Sequence, residues 1–132
     1  MSSIMVINAK GGSGKTTIST NLASYYANSG FKVTLVDLDP QGSSSKWLSS
    51  RPITKAKIRG VTSLPPQKVS KKENEITIFD VPAAIYGARL QTYIKKARKI
   101  IVPVLPSPID MSAAKDFLNS LRNLGSVIRN RT

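Results

Sequence analysis

The stretch Lys10-Gly11-Gly12-Ser13-Gly14-Lys15-Thr16-Thr17 holds the residues with the clearest chemical meaning in the chain. Glycines let a backbone turn so that its N–H groups converge on an anion, and Gly11, Gly12 and Gly14 stand where such a turn is needed. Lys15 is spaced to reach the β and γ phosphates of a nucleoside triphosphate, and the Thr16 hydroxyl to offer an oxygen to Mg2+. The strict phosphate-loop pattern G-x-x-x-x-G-K-[ST] fails at its first position, where Ala9 stands. The plainer alternative is a glycine-rich turn with two exposed lysines. The flanks argue against it, because an apolar run precedes the motif and a helical pattern follows. Phosphate binding requires that strand–loop–helix setting.

Three aspartates form the second signal. Asp37 and Asp39 stand in Val36-Asp37-Leu38-Asp39-Pro40-Gln41-Gly42, and Asp80 closes Ile76-Thr77-Ile78-Phe79-Asp80. Taken singly, each is as well explained by turn chemistry. In a parallel α/β sheet, however, ligands bind at the carboxyl ends of the strands. Aspartates there rise beside the phosphate loop, where a carboxylate holds a metal-bound water or orients an attacking one.

The elements that must position these groups alternate along the chain. Ile4 to Asn8 reads as a buried strand entering the glycine loop. Thr16 to Asn28 is helical, with Ile18, Leu22 and Tyr25/Tyr26 on its apolar side and Gly30 as its stop. Lys32 to Asp37 is a strand, Ser43 to Ser50 a short helix, Lys57 to Thr62 a third strand, and Glu75 to Asp80 a fourth. Leu90 to Ala97 is helical, Lys99 to Leu105 is a strand, and Ser112 to about Ile128 is an amphipathic helix with Phe117, Leu118, Leu121 and Leu124 on one side. Strands alternating with helices predict an α/β fold: a mainly parallel sheet with helices on both faces.

Composition narrows the chemistry. The 132 residues carry 20 Lys+Arg against 7 Asp+Glu, a net charge of +13, with no His and no Cys. That length implies a single domain spanning 1–132, burying roughly 68% of its unfolded surface. Without cysteine there is no disulfide scaffold, thiolate metal site, Cys-ligated iron–sulfur cluster or Cys nucleophile, and without histidine no His-dependent triad. No apolar run is long enough for a spanning helix, and the first residues lack a signal-peptide pattern, so a cytoplasmic location without membrane is expected. The basic residues cluster. Lys46, Arg51, Lys55, Lys57, Arg59, Lys68, Lys71 and Lys72 follow one another without an acid between them, and Arg89, Lys95, Lys96, Arg98 and Lys99 form a second group. Such a surface is either a solvated face or a contact for nonspecific DNA or another acidic partner. Trp47 is the one aromatic in the first group, which disfavours stacking on single strands.

With these motifs in hand, the chain resembles the ParA/MinD-type ATPases, the deviant Walker A group of P-loop NTPases, from Ile4 to about Leu121. KGGSGKTT resembles the deviant Walker A, VDLDPQGSSSKW the second acidic motif, TIFDVPA the Walker B, and VPVLPSPIDMSAA the segment after the next strand. The similarity is greatest to small ParA-type ATPases, the ParF-like and carboxysome-positioning kinds. It implies ATP and Mg2+ as cofactors, an ATP-dependent homodimer, nonspecific DNA of the nucleoid as a partner, and a separately encoded activator. It implies that Lys10 crosses the dimer to the partner's phosphates. It assigns Lys15, Gly11, Gly12, Ser13, Gly14 and Thr17 to phosphate contact and Thr16, Asp37 and Asp80 to the magnesium shell. It assigns Asp39 to positioning the hydrolytic water. Pro106, Ser107, Pro108 and Asp110 match a segment near the nucleotide and dimer face.

Small members of the group run further, through another strand and helices, so the resemblance implies a domain lacking its C-terminal third. Two alternatives follow: a basic DNA-binding fragment that does not hydrolyse ATP, and a MinD-like membrane cycler, which needs a C-terminal amphipathic helix. A nitrogenase-iron-protein-like reductase is excluded by the missing cysteines.

Overall fold

Short runs of aliphatic and β-branched residues, buried on both sides, build a parallel sheet. The structure, a computed structural model, describes residues 3–7, 14–63, 73–82, 87–104 and 106–125. In chain order the elements are β1 (Ser3–Val6), α1 (Lys15–Asn28), β2 (Lys32–Asp37), α2 (Ser43–Ser49), β3 (Ile58–Val61), β4 (Glu75–Asp80), α3 (Gly87–Ile94), β5 (Lys99–Ile101) and α4 (Pro108–Gly125). The strand order is β3-β2-β4-β1-β5, and every pairing is parallel. From β1 the chain crosses toward β2, and from β4 it crosses the other way toward β5. Crossovers that leave neighbouring strands in opposite directions open a crevice above their carboxyl ends.

Side chains alternate across the pleat and so fill two cores. Met5, Val36 and Phe79 meet Leu90 and Ile94 of α3 and Phe117 and Leu121 of α4. Val33, Leu35, Ile76 and Ile78 meet Ala23 and Ala27 of α1, with Trp47 and Leu48 of α2 packed beside them. The expected parallel sheet with helices on both faces is what forms.

Several boundaries and faces differ from the sequence expectation, each for a local reason. α1 buries Ser19, Ala23 and Ala27, while Ile18 and Leu22 are half-buried and Tyr25 is 63% exposed. The strands facing α1 already supply large aliphatics, so small residues face the sheet. The stop at Gly30 holds. Phe31 N–H donates to Tyr26 O at 3.0 Å and Gly30 N–H to Ala27 O at 3.2 Å, with Gly30 at φ 93° and the Tyr26 and Phe31 rings edge to face. This is a Schellman closure with its apolar clasp, and a left-handed φ favours glycine at that position.

β5 spans only Lys99–Ile101, not the run to Leu105, because Pro103 has no N–H to give the ladder. α3 is Gly87–Ile94 rather than Leu90–Ala97, since its last turn tightens through Lys96 N–H to Tyr93 O and Ala97 N–H to Ile94 O, both 3.0 Å. α4 begins at Pro108, four residues before Ser112. Ser107 caps it: its hydroxyl bonds the Asp110 carboxylate and accepts the Asp110 N–H at 3.2 Å. Pro108 fits the first helical position, where no N–H is needed. On α4, Phe117 and Leu121 are buried but Leu118 is 43% exposed, one residue step of about 100° away from the packed stripe. Leu124 and Ile128 lie outside the residues whose side chains are described.

This phase is testable by urea unfolding. Phe117→Ala should cost about 3–5 kcal/mol through the cavity it leaves. Leu118→Ala should stay within about 0.5 kcal/mol. Equal losses would contradict the helix orientation.

Candidate functional site

Three strands deliver their last residues to one place. Asp80 of β4 is paired in register with Asp37 of β2 on one side and Val6 of β1 on the other. The ladder runs on above them, with Leu38 N–H donating to Asp80 O at 2.9 Å and Val81 N–H to Val6 O at 3.2 Å. α1 begins at this end. Gly14 precedes it at φ 80°, a backbone state that strains any residue with a Cβ, and its carbonyl accepts the Ile18 N–H at 3.0 Å. No acidic residue stands in the first turn of α1, so the helix presents its positive end uncompensated.

Lys15 is the first residue of α1 and only 7% exposed. Its ammonium is hydrogen-bonded to Asp80 Oδ1 and lies 3.3 Å from Asp39 Oδ2. Asp80 is fully buried, and its second oxygen, Oδ2, has no partner. A buried carboxylate is tolerated only when paired, so Lys15 is what makes Asp80 possible here.

Asp37 is also buried, yet its carboxylate turns to the backbone. Oδ1 accepts the Asp39 N–H at 3.1 Å and Oδ2 the Ser45 N–H at 2.9 Å. It thereby ties the loop after β2 to the start of α2. Asp39 sits in a tight turn with Pro40 second and Gly42 last. Gly42 N–H donates to Asp39 O and Gln41 N–H to Asp39 Oδ1, both at 2.9 Å. The turn leaves Asp39 Oδ2 for Lys15.

Of the residues the sequence singled out, the fold thus brings together Lys15, Asp39 and Asp80, with Asp37 bracing them. Thr16 is half-buried and Thr17 exposed in the same first turn. Lys10, Gly11, Gly12 and Ser13 lie outside the described residues. Ser107 and Asp110 are bonded to each other at the start of α4. The amides of Gln41 and Ser45 are contributors that residue types alone did not disclose. The serine run after Gly42 was the available signal, since serines favour a helix start.

The carboxylates of Asp80 and Asp39 offer oxygen donors, which suit a hard cation such as Mg2+, whereas both oxygens of Asp37, expected in the magnesium shell, already accept backbone amides. The partnerless Asp80 Oδ2 is an acceptor such an ion fits. Among the described residues no three carboxylates gather into a ready-made metal cage. Mg2+ commonly takes one or two carboxylates with waters and phosphate oxygens, so the sparse donor set agrees with it.

Arg51 departs from the expected basic face. It is half-buried, donating through Nε to Ala56 O at 3.0 Å and through a terminal nitrogen to Ser24 Oγ at 3.1 Å, with its guanidinium 5.4 Å from the Trp47 ring. Lys46, Lys55, Lys57 and Arg59 are exposed, as are Arg89, Lys95, Arg98 and Lys99, while Lys96 is half-buried. Among the described residues no helix is long and apolar enough to cross a membrane.

The chain is similar to known proteins. A family model described as "AAA domain" matches residues 1–131. The chain is 33% identical over 112 residues to "Maintenance of carboxysome distribution protein A" of Gloeobacter kilaueensis, covering 83% of this chain and 51% of that protein. It is 51% identical over 112 residues to "Sporulation initiation inhibitor protein Soj" of Bacillus subtilis, covering 85% of this chain and 36% of that protein. A solved nucleotide-binding protein from Archaeoglobus fulgidus, in complex with ADP, shares the fold with a TM-score of 0.63 and 16% identity, covering 93% of this chain and 62% of that one. The chain therefore spans between about a third and three fifths of the length of these proteins. With its glycine–lysine loop motif, its strand-end aspartates and its sheet order, the chain belongs to the AAA domain family, in the ParA/MinD-type group of P-loop ATPases.

Proposed function

We propose that the protein is a ParA-like ATPase that binds and hydrolyses ATP with Mg2+, dimerises on ATP, and uses the dimer to hold nonspecific DNA while positioning a cargo such as a plasmid, a chromosome or a protein assembly. The observation that carries this reading is the Lys15 ammonium at the head of α1, held against Asp80 and Asp39 where the crossovers diverge. A helix start with unspent N–H groups, a lysine and two carboxylates is the equipment of phosphoryl transfer, which relies on positioning and charge more than on covalent chemistry.

Each group has a task. Gly11 to Gly14 and the first amides of α1 cradle the phosphates, and Lys15 and Thr17 contact their oxygens. Thr16 and Asp80 would hold Mg2+, with Asp37 behind them keeping the loop in place. When bound, the ion neutralises the charge that develops on the phosphates. Asp39 orients the attacking water. Lys10 reaches the phosphates of the second subunit, so that closure depends on nucleotide. The exposed cations of α2 and β3 hold the phosphate backbone of DNA, and pairing two subunits doubles them. A separately encoded activator sets the moment of hydrolysis, and no membrane takes part in the cycle.

Calorimetric titration of Mg-ATP is the first test. Saturable binding is expected in the wild type and its loss in Lys15→Ala. Asp39→Ala should keep binding but lower turnover about a hundredfold or more, and remain on DNA. DNA binding that ignores ATP would favour a non-hydrolysing basic fragment instead.

Lys10→Ala should bind Mg-ATP like the wild type yet remain monomeric by light scattering. A variant that still dimerises with ATP would refute the trans role.

The DNA surface is read by salt dependence. Replacing Lys55, Lys57 and Arg59 together by alanine should flatten the slope of log K against log salt by up to about 0.9 per lost phosphate contact. An unchanged slope would place the DNA contact elsewhere.

A further inference from the structure

We infer that Lys15 occupies the divalent-cation position of the site, so that metal and nucleotide enter only by exchange with it. This rests on the nucleotide reading above and adds how the site is regulated.

Asp80 is fully buried with one oxygen on the Lys15 ammonium and the other without a partner, while the same ammonium stays within 3.3 Å of Asp39. One cation thus bridges two carboxylates, one from the end of β4 and one from the turn after β2, as a metal ion would. The counting of charge is decisive. Lys15, Asp39 and Asp80 together carry one net negative charge, and buried Asp37 beside them adds another. The cluster is short of positive charge, which favours a divalent ion over a single ammonium. Yet a metal ion arriving alone must evict Lys15 into a site that holds no anion for it. A nucleotide arriving alone draws Lys15 to its phosphates and strands Asp80 as a buried, uncompensated charge. Each half-step costs what breaking a buried ion pair costs. Taken together the two steps repay each other, because Lys15 gains phosphate oxygens as the carboxylates gain the metal. Lys15 thereby couples the two ligands, and coupling between binding sites is reciprocal. The resting site rejects free divalent ion and free nucleotide and accepts the pair.

The test uses the full chain without nucleotide and Mn2+ as the probe, followed by electron paramagnetic resonance. Lys15→Met should bind Mn2+ about tenfold or more tightly than the wild type, and Lys15→Met combined with Asp80→Asn should lose that gain. Equal or weaker Mn2+ binding in Lys15→Met would overturn the exchange. If Lys15→Met is unfolded in chelator, Mn2+ should restore its melting transition, whereas the double variant should fold without metal. A double variant that folds beside a Lys15→Met that Mn2+ does not rescue would also overturn it. Failure of Mg-ATP to bind the wild type would instead refute the nucleotide reading, and that result is separate from the Mn2+ comparison.

Discussion

A carboxylate without access to water must have a cation or hydrogen-bond donors, and Asp80 is such a carboxylate. This constraint organises the upper end of the sheet. The Lys15 ammonium answers it, so α1 must begin within a side chain's reach of the end of β4. That in turn needs Gly14 directly before α1, at a positive φ that suits glycine. It also needs β4 to lie inside the sheet, between β2 and β1, so that Asp80 rises beside the loop rather than at an edge. The ion pair contributes little to stability by itself, because desolvation offsets most of its Coulomb attraction. What it supplies is a single permitted arrangement of α1 over the strands.

Asp37 solves the same problem by a different route. Its charge is also buried, but two backbone amides satisfy it, one from Asp39 and one from Ser45. The effect is to fix the loop that carries Asp39, leaving one oxygen of Asp39 for Lys15. Two neighbouring carboxylates on paired strands therefore have different work. One is locked to the backbone and holds shape, while the other keeps one oxygen without a partner and one on the Lys15 ammonium. The difference arises from which donors the fold brings near, since the residue type is the same.

That difference marks how far the sequence was legible. β2 and β4 were readable to the residue, since an apolar run ending in Asp leaves little freedom in a parallel sheet. The strand before the glycine–lysine motif and the helix after it were readable from the pattern, while Lys10 to Ser13 lie outside the described residues. The partners of Asp37 were not, because one of them is the amide of a residue eight positions on, and backbone amides carry no residue signature. The start of α4 was legible in principle: Ser107, Pro108 and Asp110 spell a capped helix start, but the proline pair around Ser107 reads equally as a break. The shortened β5 has the same character, with Pro103 in plain sight inside an otherwise apolar run. The buried face of α1 was misjudged because large residues draw the eye. The sheet had already filled that volume, and alanine and serine were what fitted. The role proposed for Lys10 rests on family resemblance alone, since no spacing rule yields a group that acts across a dimer.

The basic surface calls for the same separation of roles. β3 is an edge strand of the sheet, and Lys57 and Arg59 flank and occupy it. Charged residues on an edge strand discourage pairing with another sheet, a purpose unrelated to any ligand. Arg51 is engaged with Ala56, Ser24 and Trp47, so part of the apparent patch holds a loop in place. A net charge of +13 is thus a poor measure of DNA affinity by itself. A phosphate backbone would meet only the exposed cations, among them Lys55, Lys57 and Arg59. A few such residues give weak, salt-sensitive attraction in one subunit, because the number of phosphates contacted sets the affinity. In the proposed dimer that number doubles, which would raise affinity by orders of magnitude without any new chemistry.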